Sequence, residues 1–464
     1  MAISSRRDAP ILFWATVALV VLLPLPLGAI YQWSWALMAL VMGVVLAFWS
    51  ARVALGQQDV TVGLRGIWWL LLPFALCILW IMLQSSAMTP DVWHHPLWQS
   101  TAEALQIDLD GTVSLNPFRS SSGLARLLAY GGIFWISLQY CRRAARARQV
   151  LLAVTYAGCA YALYGLLVYL TGFESLLFFR RPPNPADLSG TFVNRDTFAA
   201  FAGLALVCAS GLILVLISQA KAGASSRKER LLQFADVIIG RGWPLLASWL
   251  FLLVALLLTH SRIGFLSTAA GLVVLVVAVL FSRTGTRRLA TAAIGTAAVL
   301  IAAIGLLGGA GTLLLQPLGS WLMLGEGSLI AAKTMEAIHD AGMLGTGFGT
   351  FEEAFRFYRS PDIASSVSVA HTTYLENILE LGWPAAMMLF AVFAAFFVAS
   401  ALGVNRRRRD AVYPAVGLAV TALVAVQSTV GFSLQIPAIT ALYMLIMGAA
   451  CAQCWSSRRS PDPW

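Results

Sequence analysis

A succession of apolar runs, each about 20 residues long and separated by short polar stretches, dominates this 464-residue chain. About 20 apolar residues in a helix cross the roughly 30 Å hydrocarbon core of a bilayer. With no water in that core, every backbone N–H and C=O must be satisfied internally, which a helix does within its own segment. In the first half the runs fall near 11–30, 34–51, 67–84, 124–140, 150–171 and 197–219. In the second half they fall near 243–259, 264–282, 289–312, 383–403, 411–430 and 434–454. They predict an all-α, polytopic integral membrane protein of about twelve transmembrane helices, with residues 1–464 forming a single membrane domain.

Composition agrees, with 59% hydrophobic and 11% charged residues against roughly 25% charged in soluble domains. The net charge of +10 does not signal nucleic-acid binding. Its cations sit in short clusters between apolar runs, such as Arg142, Arg143, Arg146 and Arg148, leaving no basic globular face. The six cysteines (Cys77, Cys141, Cys159, Cys208, Cys451 and Cys454) lie in apolar spans or beside basic loops, which argues for packing and against a disulfide framework. Cys451-Ala-Gln-Cys454 has redox spacing but no βαβ context. Arg6 and Arg7 precede the first run without a small-residue cleavage site, so that run is expected to be a retained helix.

Positive charge orients the spans. One set of loops carries Arg6/Arg7, Arg52/Arg65, Arg142–Arg148, Lys221/Arg227/Lys228/Arg230, Arg283/Arg287/Arg288, Arg406–Arg409 and Arg458/Arg459. The alternate set is 85–123, 172–196, 260–263, 313–382 and 431–433, longer or poorer in positive charge. Both termini are therefore expected in the cytoplasm, and 313–382 is expected to be one large outside loop between spans 9 and 10. Within that loop, 329–341 has helical spacing, 345–350 is a glycine-rich turn and 371–381 reads as a helix leading into the next span. None of the twelve spans contains Asp or Glu, which weighs against a proton-driven carrier, whose coupling ion needs an acidic ligand at mid-membrane.

Polar residues that need a reason gather outside. All five histidines (His94, His95, His260, His339 and His371) lie in these loops or at helix ends facing them. Three segments stand out. Gly190-Thr191-Phe192-Val193-Asn194-Arg195-Asp196-Thr197-Phe198 puts Asn194 and Arg195 at a membrane surface; Arg195 is either an interfacial snorkelling residue or an anion ligand. Thr259-His260-Ser261-Arg262-Ile263-Gly264 places Arg262 in a very short outside turn, against the positive-inside bias. There a guanidinium fork suits a phosphate, or again simply the interface. The third runs from Leu344 to Phe351, with Gly345, Gly347 and Gly349, and continues through His371-Thr372-Thr373-Tyr374-Leu375-Glu376 to Glu380-Leu381-Gly382. Glycines allow close backbone approach to a phosphate or simply a turn, and His371 is either a general base or a structural hydrogen-bonding residue. His94 and His95 look like half a metal site, but no third ligand has recognisable spacing, so local polar structure is the expectation.

In this order and on this topology, these segments resemble the O-antigen ligase and O-antigen polymerase superfamily of bacterial envelopes. Its signatures look like G-x-F-x-N-[basic]-N-x-x-A, S-R-[small]-G, and G-x-G-x-G-x-F followed by H-[N/S]-x-Y-L-x-x-x-x-E-x-G. Here they stand as Gly190 to Phe198, Ser261 to Gly264, Gly345 to Phe351 and His371 to Gly382, and Ser114-Leu115-Asn116-Pro117 is also similar. The likeness covers residues 110–400, with the histidine motif its most specific part. There are departures: Thr372 stands where the family usually has Asn, and Asp196 where a second Asn is common. Ser328 replaces an arginine at the start of the loop helix, with Lys333 nearby.

The resemblance implies a GT-C-like membrane fold with 313–382 as a large periplasmic loop. It implies a metal-independent glycosyltransferase of the inner membrane, with no cofactor beyond its lipid-linked donor. Such an enzyme moves an undecaprenyl-diphosphate-linked glycan, at the periplasmic face, to a hydroxyl of lipid A–core. The alternatives are a polymerase with a carrier-linked glycan acceptor, a lipid-linked glycan flippase or a non-catalytic scaffold. As catalytic residues it implies His371, Arg262 and Arg195, the arginines meeting the diphosphate and His371 taking the acceptor proton. Asn194, Ser261, Gly347, Gly349, Tyr374 and Glu380 are the implied substrate contacts. Tyr374, Phe355, Phe357 and Tyr358 are either sugar-stacking or loop-packing residues.

Overall fold

The computed structural model describes residues 10–171, 175–176, 179–180, 187–221, 240, 242–281, 326–361, 363, 367–407 and 410–454. Among them the chain is helical, apart from two-residue antiparallel strands at Ser175–Leu176 and Phe179–Arg180. The helices are α1 (Pro10–Leu22), α2 (Gln32–Ala54), α3 (Trp68–Gln84), α4 (Pro96–Leu105), α5 (Pro117–Tyr140), α6 (Ala144–Thr171) and α7 (Arg195–Lys221). There follow α8 (Trp243–Leu258), α9 (Arg262–Phe281), α10 (Glu326–Ala341), α11 (Phe351–Phe355), α12 (Thr373–Arg406), α13 (Val412–Val430) and α14 (Pro437–Ala452).

Eleven of the expected apolar spans coincide with described helices; the ninth, 289–312, lies outside the described residues, as do several of the basic clusters. Among the described residues, seven helices are long and apolar enough to cross a membrane: α2, α3 with the 3₁₀ turn before it, α6, α7, α9, α12 and α13. Helices α1, α8 and α14 are apolar but shorter. The first span ends at Leu22 and not at residue 30, because Pro24 and Pro26 supply no N–H and disfavour helix in the residues before them. Conversely, α5 starts earlier than its apolar run. Asn116 caps it by accepting the Arg119 N–H (3.2 Å), and Pro117 takes the first position, where a missing N–H costs nothing.

Helix α14 is the hub, buried along its whole length against α5, α6 and α13. Small residues let neighbours approach closely, as at Gly264 of α9, whose missing Cβ leaves room for Ala199 of α7. Some polar groups pair across the apolar helices. Ser267 of α9 donates to Gln427 of α13 (2.7 Å), and Gln427 donates to the Asp196 carbonyl and to Ser433. This network ties α7, α9 and α13 together at the end of the bundle that carries the candidate motifs.

A second apolar core forms where α10, α11 and the start of α12 sit on α3. Ile330, Ala337 and Ile338 of α10, Phe351, Ala354 and Phe355 of α11, and Ile378, Leu379 and Leu381 of α12 close on Cys77 and Ile81 of α3. The helix expected over 371–381 and the following span meet at Gly382, whose backbone (φ 73°, ψ 163°) is not helical, two residues before Pro384, so α12 is two helical segments joined at a kink. The Trp80 indole donates to the Leu381 carbonyl (2.8 Å), satisfying a group freed at the bend.

Candidate functional site

Between the bundle and the loop lies a cavity of about 1250 Å³. It is lined by Asp187 and Asn194 before α7, by Arg195 and Asp196 at its start, and by Arg119 and Arg126 of α5 with Gly349, Glu352, Glu376 and Glu380. Much of the rest is apolar, with α12 side chains such as Phe390, Phe393 and Phe397 and α13 residues such as Ala422 and Ala425, interspersed with polar groups such as Asn377, Thr421 and Gln435. Phe397 and Val398 line it while being 42% and 53% exposed, so the apolar arm runs out to the surface of α12.

The first two motifs meet through an acid that lies just before them. Asp187 accepts from Arg195 Nη1 (2.6 Å) and pairs with His260 Nδ1 (3.2 Å), tying the start of α7 to the turn preceding Arg262. Asn194 turns its Oδ1 onto the Asp196 N–H (2.7 Å), shaping the entrance to α7. Ser261 is buried and accepts the Gly264 N–H (3.0 Å), three residues on, as a helix N-cap does. Arg262 heads α9 with its side chain exposed.

The third motif is a locked turn. Gly347 (φ 105°) lies so close to Ser114 that a Cβ would collide with its hydroxyl, so only glycine fits in both conformation and space. The Leu115 N–H donates to the Thr346 carbonyl (2.9 Å), and Gln84 Nε2 donates to the Leu344 and Glu380 carbonyls. Asn116 donates to Glu353 (3.1 Å), and Arg119 pairs with both Glu352 and Glu353, so the Ser114–Pro117 segment and the glycine turn form one unit. A hydrogen bond from Arg356 holds the Glu352 carboxyl below the usual carboxylate range against the opposing pull of burial, with help from the Arg119 charge.

His371 sits in the left-handed region (φ 55°), its ring edge-on to Phe432 with centroids 5.5 Å apart. Phe432 lines the cavity, as do Val369 and Thr373 on either side of the histidine. Thr372 caps α12 by accepting the Leu375 N–H (3.2 Å), which is the local job an asparagine would do there. Thr372→Asn should therefore leave thermal stability within a few tenths of a kcal/mol, whereas Thr372→Ala should cost about 1 kcal/mol. A melting series on purified variants checks this.

The cavity thus collects Arg195, Asn194, Gly349, Tyr374 and Glu380 of the expected site residues; Arg262, Ser261, Gly347 and His371 stand outside its walls. Tyr374 donates to the Ala425 carbonyl (2.9 Å), bridging α12 to α13. Phe355 is buried and stacked on Phe351, a loop-packing residue, and Tyr358 donates to Asp340 (3.0 Å), while Phe357 is exposed. Lys333 pairs with Glu336 along α10. His94 bonds the Thr89 carbonyl through Nε2 (2.9 Å) and His95 caps α4, which is local polar structure.

Sequence reasoning missed Asp187, Arg119 and Arg126, and named Glu376 only as part of the histidine segment, with no role of its own. Arg126 had a usable signal: it falls inside the apolar run 124–140, where an ionisable residue of either sign asks for a role. Its guanidinium lies over the Trp35 ring, 5.3 Å from the centroid. Compared with known proteins, the chain matches no family model and no curated relative.

Proposed function

We propose that the protein transfers a glycan from an undecaprenyl diphosphate carrier to a hydroxyl acceptor at the periplasmic face of the bacterial inner membrane, as O-antigen ligases do. The observation that carries this reading is the two-part cavity. Its polar lining has Arg119, Arg126 and Arg195 set among Asp187, Asp196, Glu352, Glu376 and Glu380, and its apolar lining includes Phe390, Phe393 and the exposed Phe397 of α12. An amphipathic donor with a diphosphate head and a polyprenyl tail fits both parts at once. In this reading the chain has twelve spans, both termini are cytoplasmic, and the described loop core lies in the periplasm.

The chemistry follows from the donor. The acceptor oxygen attacks the anomeric carbon, the bond to the diphosphate oxygen breaks, and the carrier leaves with the bonding pair. Stabilising that charge is the largest demand on the site, and the guanidinium of Arg195 at the cavity wall meets it without a metal ion. It is joined by that of Arg262, which stands outside the wall but two residues after His260, whose ring shares Asp187 with Arg195. The imidazole of His371 takes the acceptor's proton as attack proceeds. A ligase acts on lipid A–core and a polymerase on a carrier-linked glycan, with the same donor half-reaction.

Gene deletion followed by gel analysis of envelope glycans tests the reading. Deletion should leave free lipid A–core with accumulating carrier-linked polymer, and the wild-type gene should restore capped lipopolysaccharide. Collapse of long chains to single repeats would make the enzyme a polymerase. Unchanged glycans in every envelope fraction would overturn the assignment.

A further inference from the structure

Two carboxylates one turn apart at the start of α12 are almost completely buried: Glu376 is 7% and Glu380 4% exposed. Buried carboxylates persist only where donors and counter-charge hold them. Here the donors are backbone groups of the two loops that flank the cavity. Glu376 Oε2 accepts the N–H of Ala370 (2.8 Å), the residue immediately before His371. Glu380 Oε1 accepts the N–H of Phe351 (3.0 Å), two residues after Gly349 of the glycine turn. Gln435 accepts from Thr373 (3.1 Å), three residues before Glu376 on the same helix start. The charge of Arg126 acts on both carboxylates, and all three side chains line the cavity.

His371 needs such a hold. A non-glycine residue at φ 55° is uncommon and persists only when its surroundings fix it. The residue after it is the cap of α12, and the residue before it is the one Glu376 grips. The histidine is therefore pinned from both sides by a single helix start.

We propose that Glu376 is a positioning residue for His371: by accepting the Ala370 N–H it fixes the left-handed turn that sets the imidazole against Phe432 at the cavity rim. Glu380 does the equivalent for the glycine turn. The proposal rests on the transferase reading for its effect on rate, but its structural content can be tested without activity.

With five histidines in the chain, the His371 ring signal can be identified in a histidine-labelled spectrum of the full-length protein by its loss in His371→Asn. In Glu376→Ala that signal should shift or broaden, and transfer should fall about 100-fold, the scale of a 1 Å misplacement. Binding of undecaprenyl diphosphate should stay within about twofold. Glu376→Gln, whose amide oxygen can accept the same N–H, should return the signal and most of the rate. Glu376→Asp, with its acceptor withdrawn by one methylene, should give an intermediate displacement, and it serves if the alanine variant does not accumulate. An unmoved His371 signal in Glu376→Ala and Glu376→Asp would overturn the proposal. So would a joint loss of carrier binding, melting temperature and rate that glutamine does not restore, which would mean a merely structural carboxylate. Full transfer by His371→Asn would overturn the base reading alone, and the spectral comparison would still decide the role of Glu376.

Discussion

Replacing His371 by asparagine is expected to lower glycan transfer about 1000-fold, within the 10²–10⁴ range typical of a lost general base. Protein level and carrier binding should not change. Asparagine is the informative choice because the residue occupies the left-handed region (φ 55°), which asparagine tolerates. Alanine there would add about 1 kcal/mol of backbone cost and confuse a lost proton acceptor with a disturbed turn. Asparagine keeps a polar group near Phe432 but has no titratable nitrogen near neutral pH. The cap at Thr372 and the grip on Ala370 both lie outside the substituted side chain, so α12 should form unchanged. Initial rates in membranes, normalised to protein, check this. In cells the corresponding outcome is carrier-linked glycan that accumulates without capping its acceptor. A wild-type rate would remove the imidazole from the reaction.

Apolar run length made the helical architecture legible, since few alternatives exist for segments that must satisfy their own backbone groups. The errors came where local chemistry overrides hydropathy. Pro24 and Pro26 cut the first helix short, and Asn116 with Pro117 starts α5 before its apolar run begins. The break at Gly382 was legible as a boundary, and there the backbone leaves the helical region between the two segments of α12. The candidate site was legible in part because its motifs are local: a capped turn, a glycine turn and a histidine before a helix each have a short-range pattern. What joins them was not. Asp187 reaches His260 across 73 residues, and Asn116 reaches Glu353 across 237. No periodicity or spacing rule encodes such pairings. Ser261 shows the converse, for a residue singled out as a substrate contact is engaged as the cap of α9, a role its position before a helix already suited.

Arg195 and Arg262 supply the other large effect, and each alanine variant is expected to lose about 10²–10³ in transfer rate, as removal of a group stabilising transition-state charge does elsewhere. Lysine should not restore either, because a point charge lacks the planar two-donor fork that matches phosphate oxygens. The double variant separates this account from the interfacial one. If both guanidiniums hold one diphosphate, the second removal acts on a leaving group already poorly held, and the combined loss should fall short of the product of the single losses. Two independent interfacial anchors would instead give small, additive losses traceable to protein level in the membrane. Asp187 adds a further constraint. Arg195 is already paired with it at 2.6 Å while His260 shares the same carboxylate, so the pair holds the guanidinium at the cavity wall before any substrate arrives. Alanine at Arg195 would leave that carboxylate beside the incoming diphosphate with its guanidinium partner gone. The loss at Arg195 should accordingly shrink when Asp187→Asn is combined with it, and a loss that stayed the same would mean the acid and the arginine act apart.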